Sequence, residues 1–314
     1  MKDRHIALLV AGGTLWAFGL WMTSTYDGDR RASRHTHPSA CCDDHQHRSF
    51  LVLEQHLPVR PGGRLLVDVH DADVRVTTGG GGTAAVQLYA SARDEAWGRD
   101  VVERMRFAID TENGDLIIEA DDPHIEERDW RRHHGVGVEV RVTIPTRFDA
   151  DVRSGDGDIS LGDLEGRVHL HSSDGDLHVG TLRGPEIKLR TSDGDVYAVG
   201  LEAPTILLHT SDGDVEARGV TGALEAATGD GDIMLRLLGA RETRVRSGDG
   251  DVTVYLAGPL GFELDLRAED VSLDPGFRLD GSRSAGSLRG PLNGGGPVLA
   301  VRASDGTVRL RSGD

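Results

Sequence analysis

Two adjacent cysteines, Cys41 and Cys42, are the only ones in 314 residues. Neighbouring cysteines bridge only under strain or pair between molecules, so no disulfide framework supports the fold. Aromatic residues are scarce at 4%, while glycine reaches 42 residues. That balance fits a turn-dense β protein better than a globular enzyme. Positive charge is also short: 35 Lys and Arg face 52 Asp and Glu, for a net charge of −17. That charge argues against nucleic acid or anionic lipid as a bulk partner, because the phosphate interaction would be repulsive, while local basic stripes can still act. Long apolar runs are missing too, apart from Ile6 to Met22.

What the chain does have is a repeat. A phrase built on Asp-Gly-Asp recurs six times between Ser154 and Val252, opening at Asp156, Asp174, Asp193, Asp212, Asp230 and Asp249. These positions are 18, 19, 19, 18 and 19 residues apart. Such a period marks a solenoid, in which each unit buries its apolar face only against its neighbours. Within one period, Ser154-Gly155-Asp156-Gly157-Asp158 is turn chemistry, Ile159-Ser160-Leu161 alternates, and Val168-His169-Leu170-His171 alternates again. The expectation is an all-β, single-stranded β-solenoid of about 18–19 residues per coil, with two short strands and two corners in each coil. The corner glycines are expected to supply positive φ. Leu177, Val179, Ile187, Leu189, Val196, Ile206, Leu208, Ile233, Leu235 and Val245 form the predicted inner ladders.

Alignment on the aspartates exposes two surface rows. Before each Ser/Thr stands Arg153, His171, Arg190, His209, Ala227 or Arg246, with Arg302 in the same frame, and alternation points this basic row outward. Beside it runs the corner ladder of Asp156, Asp158, Asp174, Asp176, Asp193, Asp195, Asp212, Asp214, Asp230, Asp232, Asp249 and Asp251. Charges about 4.8 Å apart repel by roughly 1 kcal/mol in water and about 3 to 4 at an effective dielectric near 20. The compensation is hydrogen bonding from Gly amides and Ser/Thr hydroxyls, ion pairing to the basic row, or cations. Calcium β-rolls use G-G-x-G-x-D-x-U-x nonapeptides. Here one corner per period carries the motif, the second Asp follows Gly directly, and Ser173, Ser192 and Ser211 replace the first Gly, so that pattern is not met.

Flanking segments are less regular. Strand-like alternation runs over Arg64 to Val69, Val74 to Thr77, Ala84 to Ala92, Asp115 to Ala120 and Val136 to Ile144, and helical spacing over Asp94 to Arg106. Residues 50–148 thus read as an N-terminal β cap with one short helix, and residues 149–314 as the solenoid. Beyond Asp249 the repeat decays to Glu269-Asp270-Val271 and a Gly-rich stretch, then resumes at Ser304-Asp305-Gly306-Thr307-Val308. The helix near Glu95 to Arg106, Asn113-Gly114-Asp115-Leu116, Val142-Thr143-Ile144-Pro145 and the serial coils together resemble bacterial adhesin-like domains of unknown function, the DUF4097-like β-solenoids. The resemblance covers about Leu57 to the C terminus. It implies a cell-envelope β-solenoid, sometimes linked to envelope-stress systems, with no established catalytic residues.

Toward the N terminus, Lys2 and Arg4 precede the apolar stretch, so residues 1–25 read as a signal anchor, or alternatively a signal peptide, oriented with the cytoplasm on the N-terminal side. Thr23-Ser24-Thr25-Tyr26 is a poor cleavage site, which favours the uncleaved form. Everything beyond is expected to be exported, anchored to the cytoplasmic membrane and facing the periplasm or cell exterior. The polar tether over residues 26–49 holds His35, His37, Cys41, Cys42, His45 and His47, a donor set suited to zinc or copper. A His-rich linker without metal explains the same residues.

These features favour a non-catalytic envelope protein, without cofactor, that presents a solenoid surface to an envelope component or surface polymer. The row Arg153, His171, Arg190, His209 and Arg246 is the candidate docking line; internal pairing with nearby carboxylates is its structural alternative. A polysaccharide-acting β-helix enzyme would need a carboxylate pair peculiar to one or two coils. Instead, Asp193 and Asp212 look like every other corner. A third class is acid sensing by His169, His171, His178 and His209.

Overall fold

The computed structural model describes residues 47–79, 81–122 and 135–313. The Asp-Gly-Asp corners stack as the period predicts, and they divide each coil into strands before and strands after the corner. The pre-corner strands Asp149–Arg153, Val168–His171 and Glu186–Arg190 pair in parallel. That ladder continues through the later halves of Val196–His209 and Val215–Ala227 to Thr243–Ser247. The post-corner strands Ile159–Leu161 and Leu177–Arg183 pair likewise, running on through Val196, Val215 and Ile233 to Val252–Leu256. All ten predicted ladder residues lie inside, none more than 4% exposed.

Each coil has a third wall that the sequence reading lacks. Leu164 pairs in register with Leu182, Leu182 with Leu201, Leu201 with Val220, and Val220 with Leu237. All five are buried. Two strands and two corners therefore become three walls around an apolar interior. The short wall is disguised in the sequence because only one inward residue per coil marks it, too few for an alternation signal.

Chain order and stack order diverge at both ends. The strands Arg64–Asp68 and Ala72–Gly79 form a coil in register with Asp149–Arg153 and Ile159–Leu161. On their other side the same two strands pair in parallel with Asp115–Glu119 and Gly137–Pro145. The chain thus runs outward from this coil and then skips back over it. A mirror arrangement closes the other end. The copy over Val298–Ala303 and Thr307–Ser312 stacks on Thr243–Ser247 and Val252–Leu256. It carries Phe262–Arg267 and Asp270–Leu273 on its far side. The last copy in the chain is therefore not the last plate in the stack.

Antiparallel strands finish both ends, because a hairpin needs only a local turn where another parallel strand needs a whole crossover. Thr83–Ala92 pairs antiparallel with Gly137–Pro145, and Arg48–Pro58 with Thr83–Ala92. Ser287–Leu292 and Ser282–Ser284 do the same beside Phe262–Arg267. A register shift between Leu51 and Leu53 interrupts the outermost long strand, a device that discourages edge-to-edge pairing. The expected helix is Glu95–Arg104, capped by the Asp94 carboxylate, which accepts from the Ala96 and Trp97 amides. Its Val101 and Val102, with the C-capping Met105, are buried. Gly98 lets Phe50 close on the helix, since a Cβ there would stand 2.7 Å from Phe50 Cζ.

The expected positive φ at the corner glycines is not found. No glycine of the Asp-Gly-Asp phrases, from Gly157 to Gly250, has one. Glycine is needed for a different reason: a Cβ on Gly175, Gly194, Gly213, Gly231 or Gly250 would overlap the carbonyl oxygen of the equivalent glycine one coil below. The period-wide requirement is for close backbone approach. Gly213→Ala is accordingly expected to lower stability by about 2 to 4 kcal/mol through overpacking. Gly239→Ala, where nothing lies within 4 Å of the added carbon, should stay within about 0.5 kcal/mol. Denaturant midpoints at constant m-value measure both.

Candidate functional site

Three files of side chains climb the corner edge. The innermost is hydroxylic: Ser154, Ser172, Thr191, Thr210, Thr228 and Ser247 are all buried. Each hydroxyl donates to the carbonyl of the coil below, from Ser154 to Ala72 through Ser247 to Gly231, at 2.8 to 3.0 Å. Five of the six also accept from the glycine amide of their own corner at 3.0 to 3.2 Å. A polar side chain in the core is affordable only when so satisfied.

The second file consists of the second aspartate of each phrase. The amides of Asp176, Asp195, Asp214, Asp232 and Asp251 donate to Oδ1 of Asp158, Asp176, Asp195, Asp214 and Asp232 respectively, at 2.7 to 2.9 Å. The file extends in both directions, to Asp73 below Asp158 at 3.1 Å and to the Thr307 amide above Asp251 at 2.7 Å. Hydrogen bonding is thus the main compensation of these carboxylates, but its donor is the backbone amide of the equivalent aspartate one coil on. At the upper end Arg309 meets Asp251 at 2.6 Å and holds its carboxyl below the ordinary range. At the lower end burial raises the Asp73 carboxyl. Tyr197 donates to Asp195 Oδ2 at 2.7 Å, and burial followed by that carboxylate raises its phenol.

The third file is formed by the first aspartates, Asp156, Asp174, Asp193, Asp212, Asp230 and Asp249. Their amides bond to the coil below, as Asp193 N does to the Ser173 carbonyl at 3.0 Å, and their side chains are exposed. No group of three or more His, Cys, Asp or Glu among the described residues is arranged to hold a metal ion. The tether residues His35, His37, Cys41, Cys42 and His45 lie outside the described residues, and His47 is the first residue within them.

The basic row is one file on the pre-corner sheet. Arg153 stands beside His171, His171 beside Arg190, Arg190 beside His209, His209 beside Ala227, and Ala227 beside Arg246. All but Ala227 are exposed. The ion pairs they make are not with the corner. Arg153 meets Asp151 at 3.6 Å on its own strand, and Arg246 meets Glu225 at 3.4 Å. His169 is engaged in the adjacent row, 2.8 Å from Glu186, which also binds Lys188 at 2.8 Å. His178 belongs to the other sheet, where it stacks on Tyr197 with ring centroids 4.9 Å apart.

Sequence reasoning missed the buried hydroxyl file and the corner Asp71-Ala72-Asp73. The latter was available in the spelling Val69-His70-Asp71-Ala72-Asp73-Val74, which has the spacing of Ser154 to Ile159. It also missed Arg267, which joins the basic row beside Arg302. No sequence signal places it there, because the coil of Arg267 stacks out of chain order.

Two tests follow from this geometry. Asp176→Ala orphans the Asp195 amide and should lower stability by about 1 to 2 kcal/mol, whereas Asp176→Asn keeps an acceptor and should recover most of it. Asp193→Asn in the outer file should leave stability within about 0.5 kcal/mol, since no bond is lost. Chemical denaturation separates the three variants. The second test uses Glu186, whose carboxyl is lowered to about 2 by hydrogen bonds from Lys188 and then His169. A depressed carboxyl contributes stability above its unfolded pKa and loses it as pH falls through the folded value. Thermal melts between pH 5 and pH 2 should therefore show a shallower acid decline for Glu186→Gln than for the native chain.

Solved structures with partial similarity to this chain are known. A "putative adhesin" from Bacteroides fragilis NCTC 9343 is similar with 14% identity, 82% of this chain and 96% of that one covered, and a TM-score of 0.46. A "putative adhesin" from Parabacteroides merdae ATCC 43184 has 11% identity, coverage of 82% and 95%, and a TM-score of 0.45. A "putative lipid binding protein" from Parabacteroides distasonis ATCC 8503 has 10% identity, coverage of 85% and 97%, and a TM-score of 0.39. No curated protein matches the sequence. The Toastrack DUF4097 family matches residues 64–311, and with the stacked corners and parallel ladders running through that span, the chain belongs to this family.

Proposed function

We propose that this chain is a non-catalytic protein of the cell envelope whose solenoid is a rigid binding surface. The observation that carries this reading is the sameness of the corners. The inner carboxylates are occupied by backbone amides on coil after coil. The outer ones, from Asp156 to Asp249, repeat in one exposed file, so none of these six corners is set apart as the acid and base pair that glycoside chemistry uses. Asp193 and Asp212, the pair an enzyme reading would select, are two members of that uniform file.

Export follows from the apolar stretch behind Lys2 and Arg4, with the solenoid held to the cytoplasmic membrane and facing the periplasm or exterior. Among the described residues no helix is long and apolar enough to cross a membrane; the stretch in question lies outside them. The partner is an envelope component or surface polymer bearing negative charge, docked along Arg153, His171, Arg190, His209 and Arg246. Cations at one coil spacing, about 4.8 Å, suit an extended repeating ligand better than a compact one.

Charge reversal tests the docking line. Arg190→Glu combined with Arg246→Glu, one on each side of Ala227, should markedly reduce retention of the protein on isolated cell-wall polymer while leaving the melting temperature within a few degrees, since both side chains are exposed. Full retention by the variant would overturn the docking line, and release of reducing sugar from a polysaccharide panel would overturn the non-catalytic reading.

A further inference from the structure

Stacking out of chain order lengthens the basic row. Arg302 lies beside Arg246, and Arg267 beside Arg302, so three guanidinium groups occupy successive coils. Arg246 has Glu225 at 3.4 Å, and Arg267 shares Asp265 with Arg289, at 3.2 and 2.9 Å. The Arg302 side chain is exposed, and its guanidinium makes no hydrogen bond or ion pair with the described residues. Ala227 then breaks the row. On its other side Arg153, His171, Arg190 and His209 fill four successive coils in a different pattern, with guanidinium and imidazole alternating.

The two imidazoles have arginine beside them in the row and mixed charge around it. His171 has Arg153 and Arg190 beside it in the row, His169 two residues back on its own strand, Asp151 and Lys188 on the flanking strands, and Asp174 at the following corner. Of these, Asp151 faces Arg153 and His169 faces Glu186. His209 has Arg190 and Ala227 beside it, Leu207 on its own strand, Lys188 and Glu225 on the flanking strands, and Asp212 at the corner. Glu225 is in turn the partner of Arg246. Neither imidazole has a carboxylate beside it in its own row, so along that row a bound anion would meet an added proton with no carboxylate between.

We infer that the row binds an anionic polymer in two segments: a permanent anchor at Arg246, Arg302 and Arg267, and a proton-gated segment in which His171 and His209 complete a line with Arg153 and Arg190. This rests on the docking reading above and adds its regulation. A polymer is held at the arginine end whether or not the imidazoles are charged; a proton on each of His171 and His209 adds two further charges that extend the grip across the break at Ala227. Histidine is the side chain type that changes charge near neutral pH, and each added surface charge contributes modestly and additively to a polyanion contact.

Dextran sulfate is a suitable probe, because sulfate esters stay ionised throughout. Binding of the full chain is measured at pH 7.5 and pH 5.5 at constant ionic strength. The native chain should bind about tenfold more tightly at the lower pH. His171→Gln with His209→Gln should remove that gain. His178→Gln, on the other sheet, should keep the gain. Arg302→Gln with Arg267→Gln should weaken binding by a similar factor at both pH values. Equal native affinity at the two pH values, or a gain that survives in the double histidine variant, overturns the gate. Unchanged affinity in the double arginine variant overturns the anchor. Absence of native binding at either pH overturns instead the docking reading on which both depend.

Discussion

Everything in this molecule depends on how closely one backbone corner lies upon the next. Parallel strands fix the rise of a coil at about 4.8 Å, and at the corner that rise brings glycine against a carbonyl oxygen with no room for a Cβ. The same closeness lets a Ser or Thr hydroxyl reach the carbonyl below and an aspartate reach the amide above. Three residue types that look like a chelating or catalytic phrase are thus three answers to one steric condition. The apolar walls give the stack its cohesion, but leucine and valine alone would tolerate a slip of register; the corner bonds select one.

Such a design separates structure from function on the surface. The inner carboxylates and the hydroxyls are used within the stack, so they hold the corner and are not available to chemistry. What remains outside is repetitive by construction: rows of side chains one coil apart, each row varied only by substitution. Binding along a row is the activity proposed for it, because an extended partner collects weak contacts from many coils where a single coil offers only one or two. Departures from uniformity then carry the specific information. Ala227 interrupts the basic row, histidine alternates with arginine on one side of it, and arginine alone continues on the other.

The two ends show how a parallel stack is closed. A coil in mid-stack has hydrogen-bonding neighbours above and below, whereas a terminal coil exposes a row of amides and carbonyls. In this protein each end is reached by a segment that overshoots, turns antiparallel, and returns to fill the place it skipped. That arrangement buries the best-formed terminal copies, around Asp71 and Asp305, and leaves the degenerate ones outermost. The decay of the repeat after Asp249 therefore reflects the changed neighbours of an end, followed by a return to the interior at Ser304.

The sequence by itself determined the coil: its period, its corner residues, its inward ladders and the outward basic row are local patterns, repeated often enough to be read by alignment of the chain with itself. The helix over Glu95–Arg104 was equally local. Three things belonged to the tertiary structure. The short third wall rests on one residue per coil and has no periodic signature. The role of the corner glycine is set by an atom some 18 to 19 residues away, so its own dihedral preferences could not reveal it. The union of Arg246, Arg302 and Arg267 depends on which strand edges remain open when the ends are closed, a matter of hydrogen-bond pairing between distant segments that no local pattern encodes.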